Sequence, residues 1–257
     1  MEYGLYISAS AMATQMARQD VMSNNLANVA TSGFKPDSIY VRQRQAVRQE
    51  DSLLSMPSDA LLERLGGGVQ PTRTYVGTAP AALERTGSPL DLGIGGNGYF
   101  VVRAGSGEQG LRLTRDGRFA ISEEGKLVTA SDGYEVMGTG DRTIDVDASV
   151  PLTIQSDGTI VQRGSAIGRL QLTMVADPRT LAKAGANLLR APRGQSLNRM
   201  PADGIIRQGH LERSGVNAIR TLMGVEGASR SAQGHARIIS YYDEMMGRAI
   251  GQFGRVA

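Results

Sequence analysis

The sequence predicts an α+β fold: long N- and C-terminal helices forming a coiled-coil-like inner domain around a mainly antiparallel β-domain. Three observations carry the prediction. Apolar residues recur at heptad spacing near both ends, over residues 1–30 and 214–257. Between these ends lie short alternating segments separated by turn dipeptides. Gly is abundant at 33, whereas aromatics are limited to four Phe and eight Tyr with no Trp, which favours tight turns over an aromatic-walled pocket.

Taken in order, Leu5, Met12 and Leu26 share one seven-residue register with Gln19 in the gap, and Ala9 and Met16 follow four residues behind. Such a seam is buried by packing on other helices. The first helix is expected from about Tyr3 to Ala27 or Val29, stopped by Thr31-Ser32-Gly33 and barred from resuming by Pro36. Residues 34–75 are expected as a connecting hairpin or extended excursion. Within it Tyr40-Val41-Arg42-Gln43-Arg44 alternates, and Leu53 to Leu65 has an alternative reading as a short helix.

The β-rich domain is expected over 76–210. Leu90–Ile94, Tyr99–Val102, Leu111–Leu113, Phe119–Ile121, Leu127-Val128, Tyr134–Val136 and Ile144–Val146 read as strands, with turns at Asp116-Gly117 and Asp132-Gly133. Leu152–Ile154 and Ile160-Val161 flank Asp157-Gly158, a hairpin signal. Gly168 to Val175 reads as the longest strand, and Asp177-Pro178 opens a short helical turn. This strand spacing indicates a sandwich or barrel-like domain.

The last segment, 211–257, is expected as a helix with Ser214 as its N-cap. Ala218, Val225, Ala232, Ile239, Met246 and Phe253 hold one heptad register. Glycines at 224, 227, 234, 247 and 251 interrupt it. At ~1 kcal/mol each relative to Ala they forfeit on the order of 5 kcal/mol of propensity, so the helix is expected to order against neighbouring helices. The alternative is that the two terminal helices pack on each other as the core of a monomer.

Composition narrows the function classes. The formal charge is only +3, with basic and acidic residues mixed, so no nucleic-acid partner is expected. The lack of cysteine removes disulfides, thiolate metal sites and a Cys nucleophile. His210 and His235 are the only histidines, so no His-rich zinc site is expected. Asp141, Asp145 and Asp147 lack the full calcium loop, and Glu123-Glu124 with Asp116 reads as a hairpin tip rather than a glycosidase pair. The cluster of Gly93, Gly95, Gly96 and Gly98 lacks the Lys-Ser/Thr pair of a phosphate loop. No catalytic residue, metal or cofactor is therefore expected; the competing function class is a secreted binding or hydrolytic β-domain with helical ends. The N-terminus lacks a cleavable signal pattern and no stretch reaches the ~18 apolar residues of a membrane span, so direct membrane insertion is not expected.

The stretch Ser23-Asn24-Asn25-Leu26-Ala27-Asn28-Val29-Ala30-Thr31-Ser32-Gly33-Phe34-Lys35 resembles the signature of bacterial flagellar rod and hook proteins. Further similarity lies in Pro89–Leu92, Gly96–Val102, Leu113–Phe119, Gly125–Thr129, Gln208–Asn217 and Asp243–Ala249, covering nearly the whole chain. Gly168–Leu172 and Asp177–Leu181 leading to Gly185–Leu188 look most like the proximal-rod subunit, with the distal-rod subunit the close alternative. Where relatives carry an Arg-Ala-aromatic-Glu run, this chain has Arg230-Ser231-Ala232-Gln233.

The resemblance implies a structural subunit of the flagellar basal body. It would polymerise helically through its ends, transmit torque from motor to hook, and leave the cytoplasm through the flagellar export apparatus without a cleaved signal. Implied partners are copies of itself, homologous rod subunits, the hook base and the surrounding rings. Interface residues so implied are Leu5, Met12, Met16, Asn24, Asn25, Leu26, Asn28, Gly33 and Phe34 at the start. At the end they are Val216, Asn217, Leu222, Val225, Ile239, Met246 and Ile250.

Overall fold

The computed structural model describes residues 2–46, 66–105, 107, 110–192 and 197–253. Helix α1 spans Glu2–Ala27 and helix α2 spans Ala218–Phe253, and the segments between them are mainly antiparallel β-structure. The fold is α+β, as the sequence predicts. The short helix read at 53–65 lies outside the described residues. The chain divides into two compact units: Met1–Ala27 with Asp37–Thr74 and Asn217–Ala257, and Asn28–Pro36 with Tyr75–Val216.

The helical unit is built from α1, α2 and the strand Asp37–Gln43, which pairs with Val69–Val76 in a two-stranded sheet. α1 is the element on which α2 chiefly packs. A Cβ on Gly4 would fall 2.5 Å from Tyr242 Oη, and one on Gly224 would fall 2.6 Å from Met22 Sδ, so the helices run antiparallel in close contact. Among the residues of α2 withdrawn from solvent, which also include Gly224, Ser229, Ser231, Ala236 and Ala249, one line runs through Thr221, Val225, Ala228, Ala232, His235, Ile239 and Tyr242. Their alternating spacing of four and three is a heptad seam. The register foreseen from sequence is thus spent, between Val225 and Ile239, on α1 of the same chain.

The β-rich unit centres on a ten-stranded sheet whose main path runs Ala182–Lys183, Leu188–Arg190, Leu111–Thr114, Tyr99–Arg103, Glu135–Gly138, Leu127–Thr129 and Phe119–Ile121. Tyr99–Arg103 sits in the middle, and its apolar run is explained by burial on both faces. Phe100 and Val102 join one core with Leu92, Ile94, Phe119, Leu127 and Ile160, while Tyr99 and Val101 join another with Leu113, Met137, Val175 and Leu189. Phe100 and Phe119 meet edge to face with centroids 5.1 Å apart. Gly93 and Gly98 in the glycine cluster are packing positions: a Cβ at either would lie 2.8 Å from Leu83 or Ala202.

Two local expectations are corrected. Gly168–Val175 is not one strand. Ser165–Arg169 completes a three-stranded sheet, whereas Leu172–Val175 pairs with Tyr99–Arg103 and Arg199–Pro201. The break falls at Leu170, whose N–H goes to Gly158 O (2.8 Å) while Arg169 O accepts from Thr139 N (2.9 Å). Ser214 does not cap α2. The N-cap is Asn217, whose Oδ1 accepts from Arg220 N at 2.9 Å. Ser214 Oγ accepts from Val216 N instead (3.3 Å), and residues 210–212 form a strand paired with Leu83–Arg85.

Candidate assembly interface

The residues implicated from sequence divide into three groups. Met16, Leu222, Met246 and Ile250 are exposed in the single chain, Ile250 at 68%. Leu5, Met12, Leu26, Val225 and Ile239 are half-buried within the helical unit. Asn25, Gly33 and Phe34 are buried. Asn24 and Asn217 are exposed, and Asn28 and Val216 are half-buried.

The buried group holds the chain's own fold. Asn25 Nδ2 donates to Asp37 O at 2.8 Å and its Oδ1 accepts from Asp37 N at 2.9 Å, so one amide closes a two-bond ring on the start of a strand. The same strand pair is fastened again where Val69 N reaches Ser10 Oγ (3.4 Å) and Gly68, at φ 90, lies close to Ser10. Past α1, Asn28 O accepts from Thr31 N (3.2 Å), and Gly33 takes φ 65 with its N–H on Glu212 O (2.7 Å).

What α2 presents outward is larger than the heptad register predicts. Ile219 (75%), Met223, Ile238, Tyr241 and Met245 are also exposed, with Tyr6 of α1. They escape a single-register reading because they lie off the 218-225-232-239 line, on the rest of the helix surface. Gly4–Tyr242 and Met22–Gly224 set one antiparallel register, and α1 begins at Glu2, so Met245 to Phe253 extend beyond its end. The exposed ion pairs Arg230–Glu226 and Arg248–Glu244 are single i,i+4 contacts of small energy. Tyr, Met and Ile exposed together on a helical surface match the composition of the buried centre of protein interfaces.

Elsewhere, Glu123 and Glu124 sit exposed at the tip between Phe119–Ile121 and Leu127–Thr129. Asp145 and Asp147 are exposed, and Asp147 is engaged by Ser149 (2.6 Å) and Arg163 (3.0 Å). No helix among the described residues is long and apolar enough to cross a membrane.

Residues 5–35 match the family model described as flagella basal body rod protein, and residues 93–162 match the flagellar hook protein FlgE/F/G D1 domain. Over 266 residues, all of both chains, the sequence is 32% identical to the flagellar basal-body rod protein FlgF of Caulobacter vibrioides. The chain belongs to the flagellar basal-body rod protein family. The flagellar basal-body rod protein FlgG of Buchnera aphidicola subsp. Schizaphis graminum is 30% identical over 94% of this chain and 96% of its own. FlgG of Caulobacter vibrioides is similar to the same extent, 30% over the same shares. As a member of this family the chain is a structural component of the basal-body rod and associates with other rod subunits. The rod-protein match covers most of α1 and the turn through Gly33 and Phe34, the region where Asn25 and Gly33 make their contacts.

Proposed function

We propose that this rod protein stacks helically on copies of itself and on homologous rod subunits through the outward faces of α1 and α2, and so transmits torque from the motor to the hook. The observation that carries the reading is the exposure of Ile219, Leu222, Met223, Tyr241 and Met245 away from the seam that α2 packs on α1, together with Met246 and Ile250, which continue the seam side of α2 beyond the end of α1. Each contact is heterologous, so addition of subunits extends the shaft instead of closing a ring. The proximal rod is the favoured position, on the Gly168–Leu172 and Asp177–Leu181 segments and the compact central region. The hook base, the surrounding rings and the export apparatus complete the partners, and the rod lies in the periplasmic space. The protein works as a scaffold and carries out no catalysis.

Polar substitution of Leu222, Met246 and Ile250 together tests the reading. The purified variant should melt within ~1 °C of wild type, since scattered surface changes alter stability little. Cells carrying it should build no rod and not swim. Normal rods in such cells would reject the interface.

A further inference from the structure

The chain passes between its two units four times, at 27/28, 36/37, 74/75 and 216/217. Inside the β-rich unit, the three segments that carry these passages, residues 28–36 and the two ends of 75–216, meet at one side chain. Glu212, with a fully buried side chain, accepts from Lys35 Nζ at 2.8 Å, from Arg115 Nη1 at 2.9 Å and from Ala81 N at 2.7 Å. Lys35 also donates to Ala79 O (2.7 Å). Main-chain bonds run between the same segments: Gly33 N to Glu212 O (2.7 Å), Gly215 N to Phe34 O (2.9 Å) and Gly77 N to Pro36 O (2.7 Å). Arg115 donates to Gly96 O (2.8 Å) in the turn before Tyr99–Arg103 and stacks over the Tyr99 ring of that strand at 5.3 Å.

This cluster is costly to build. Two buried cations share one carboxylate, and burial pulls the Lys35 ammonium below its ordinary value despite the attraction of Glu212. A charged core of this kind is weak evidence for stability, because apolar residues of similar volume often serve as well or better. Its distinguishing property is connectivity: residue 35 follows α1, residues 79–81 follow the second strand of the helical unit, and residue 212 precedes α2.

The geometry points to Glu212 as a positioning residue that binds three segments carrying all four passages into one joint, so that force arriving on any one of them is shared by all three. A single segment can turn about its backbone dihedrals, whereas cross-tied segments cannot turn independently. That the force is motor torque rests on the rod reading above; the joint itself does not.

Amide hydrogen exchange on the full-length chain decides it, because exchange resolves local opening from global unfolding. In Glu212→Gln the amides of Gly33, Gly77, Ala81 and Gly215 should all accelerate by about a hundredfold, while those of Leu127 and Leu170 keep their rates. Acceleration confined to Ala81, or equal acceleration everywhere, would overturn the joint. Should Glu212→Gln fail to fold, Lys35→Met leaves a charge-balanced Arg115–Glu212 pair and is read by the same probes. There Gly33, Gly77 and Gly215 should accelerate together by about tenfold, and unchanged rates at any of the three would reject the proposal. Cells with Lys35→Met should build rods yet stop swimming at lower medium viscosity than wild type. Wild-type swimming there, with coordinated exchange intact, would reject the torque role and leave the joint standing.

Discussion

Asn25 and Asp37 are joined by a reciprocal pair of hydrogen bonds, 2.8 and 2.9 Å long, in which one side-chain amide serves both polar groups of one peptide backbone. An Asn inside a helix is a poor helix former, and this one is kept because it ends the search of the following strand for a partner. Asn25→Ala should cost about 1–3 kcal/mol, since it leaves a donor and an acceptor unmatched beside a buried position. Asn25→Asp keeps the acceptor and loses the donor, so it should fall between the two. Chemical denaturation gives the order, and faster exchange at the Asp37 amide locates the loss.

Gly33 meets two demands at once. Its φ of 65 is left-handed, and an added Cβ would collide with the backbone of Arg115 and Asp116. Gly133 has nearly the same φ, 69, but open space around it. Gly133→Ala should therefore cost only the conformational term, about 1–2 kcal/mol. Gly33→Ala adds overpacking against main chain, for about 3 kcal/mol or more in all. Equal thermal shifts in the two variants would remove the packing argument.

The same two residues show how far the sequence could be read. The turn at Gly33 was legible because a Thr-Ser-Gly run ahead of Pro36 is a local signal. The collision that makes any other residue untenable was not, because Arg115 is remote in sequence. Heptad spacing located the seam on α2 but not its partner, since periodicity says that a face is buried and is silent on what covers it. Ser214 and Asn217 are both competent caps. The choice is made where Gly215 N bonds to Phe34 O and holds residues before 217 outside the helix. The split at Leu170 was hidden for a similar reason, as an alternating polar and apolar run gives no sign that successive residues bond to different sheets. Glu212 carried no local mark at all: one carboxylate at the end of a short strand reads as exposed until its two cations are placed.

Asp141 gives a pH-dependent prediction. Arg199 binds it through both guanidinium nitrogens, at 2.6 and 2.8 Å, while Arg103 bonds to its carbonyl oxygen at 2.8 Å. The hydrogen bond from Arg199, opposed in part by burial, holds the carboxyl below its ordinary value of 3.8. A carboxylate depressed in the folded state adds stability that is present above its unfolded pKa and is lost as pH falls through the folded one. Asp141→Asn keeps the shape and suits the left-handed backbone at this position (φ 56). Its deficit in melting temperature should be constant above about pH 5 and should shrink steadily below pH 3.8. A deficit that does not change with acidification would mean that the Arg199 pair contributes nothing through charge.

The glycines of α2 separate the requirements of one chain from those of the assembly. Gly224 is fixed by Met22, but a Cβ on Gly227 or Gly234 would meet nothing within 4 Å. Nothing in the single chain requires glycine there, and each forfeits about 1 kcal/mol of helix propensity relative to Ala. Gly227→Ala with Gly234→Ala should therefore stabilise the isolated protein by about 2 kcal/mol, or roughly 4–8 °C in melting temperature for a chain of this size. If the two positions admit the backbone of a neighbouring subunit, the same variant should assemble worse although its monomer is more stable, because added methyl groups hold the helices apart. Pelletable rods from purified protein and swimming of the variant strain both report on this. A stabilised monomer that also assembles at wild-type rate would show that these glycines serve neither the fold nor the interface, and the outward face used in stacking would then have to exclude the line through 227 and 234.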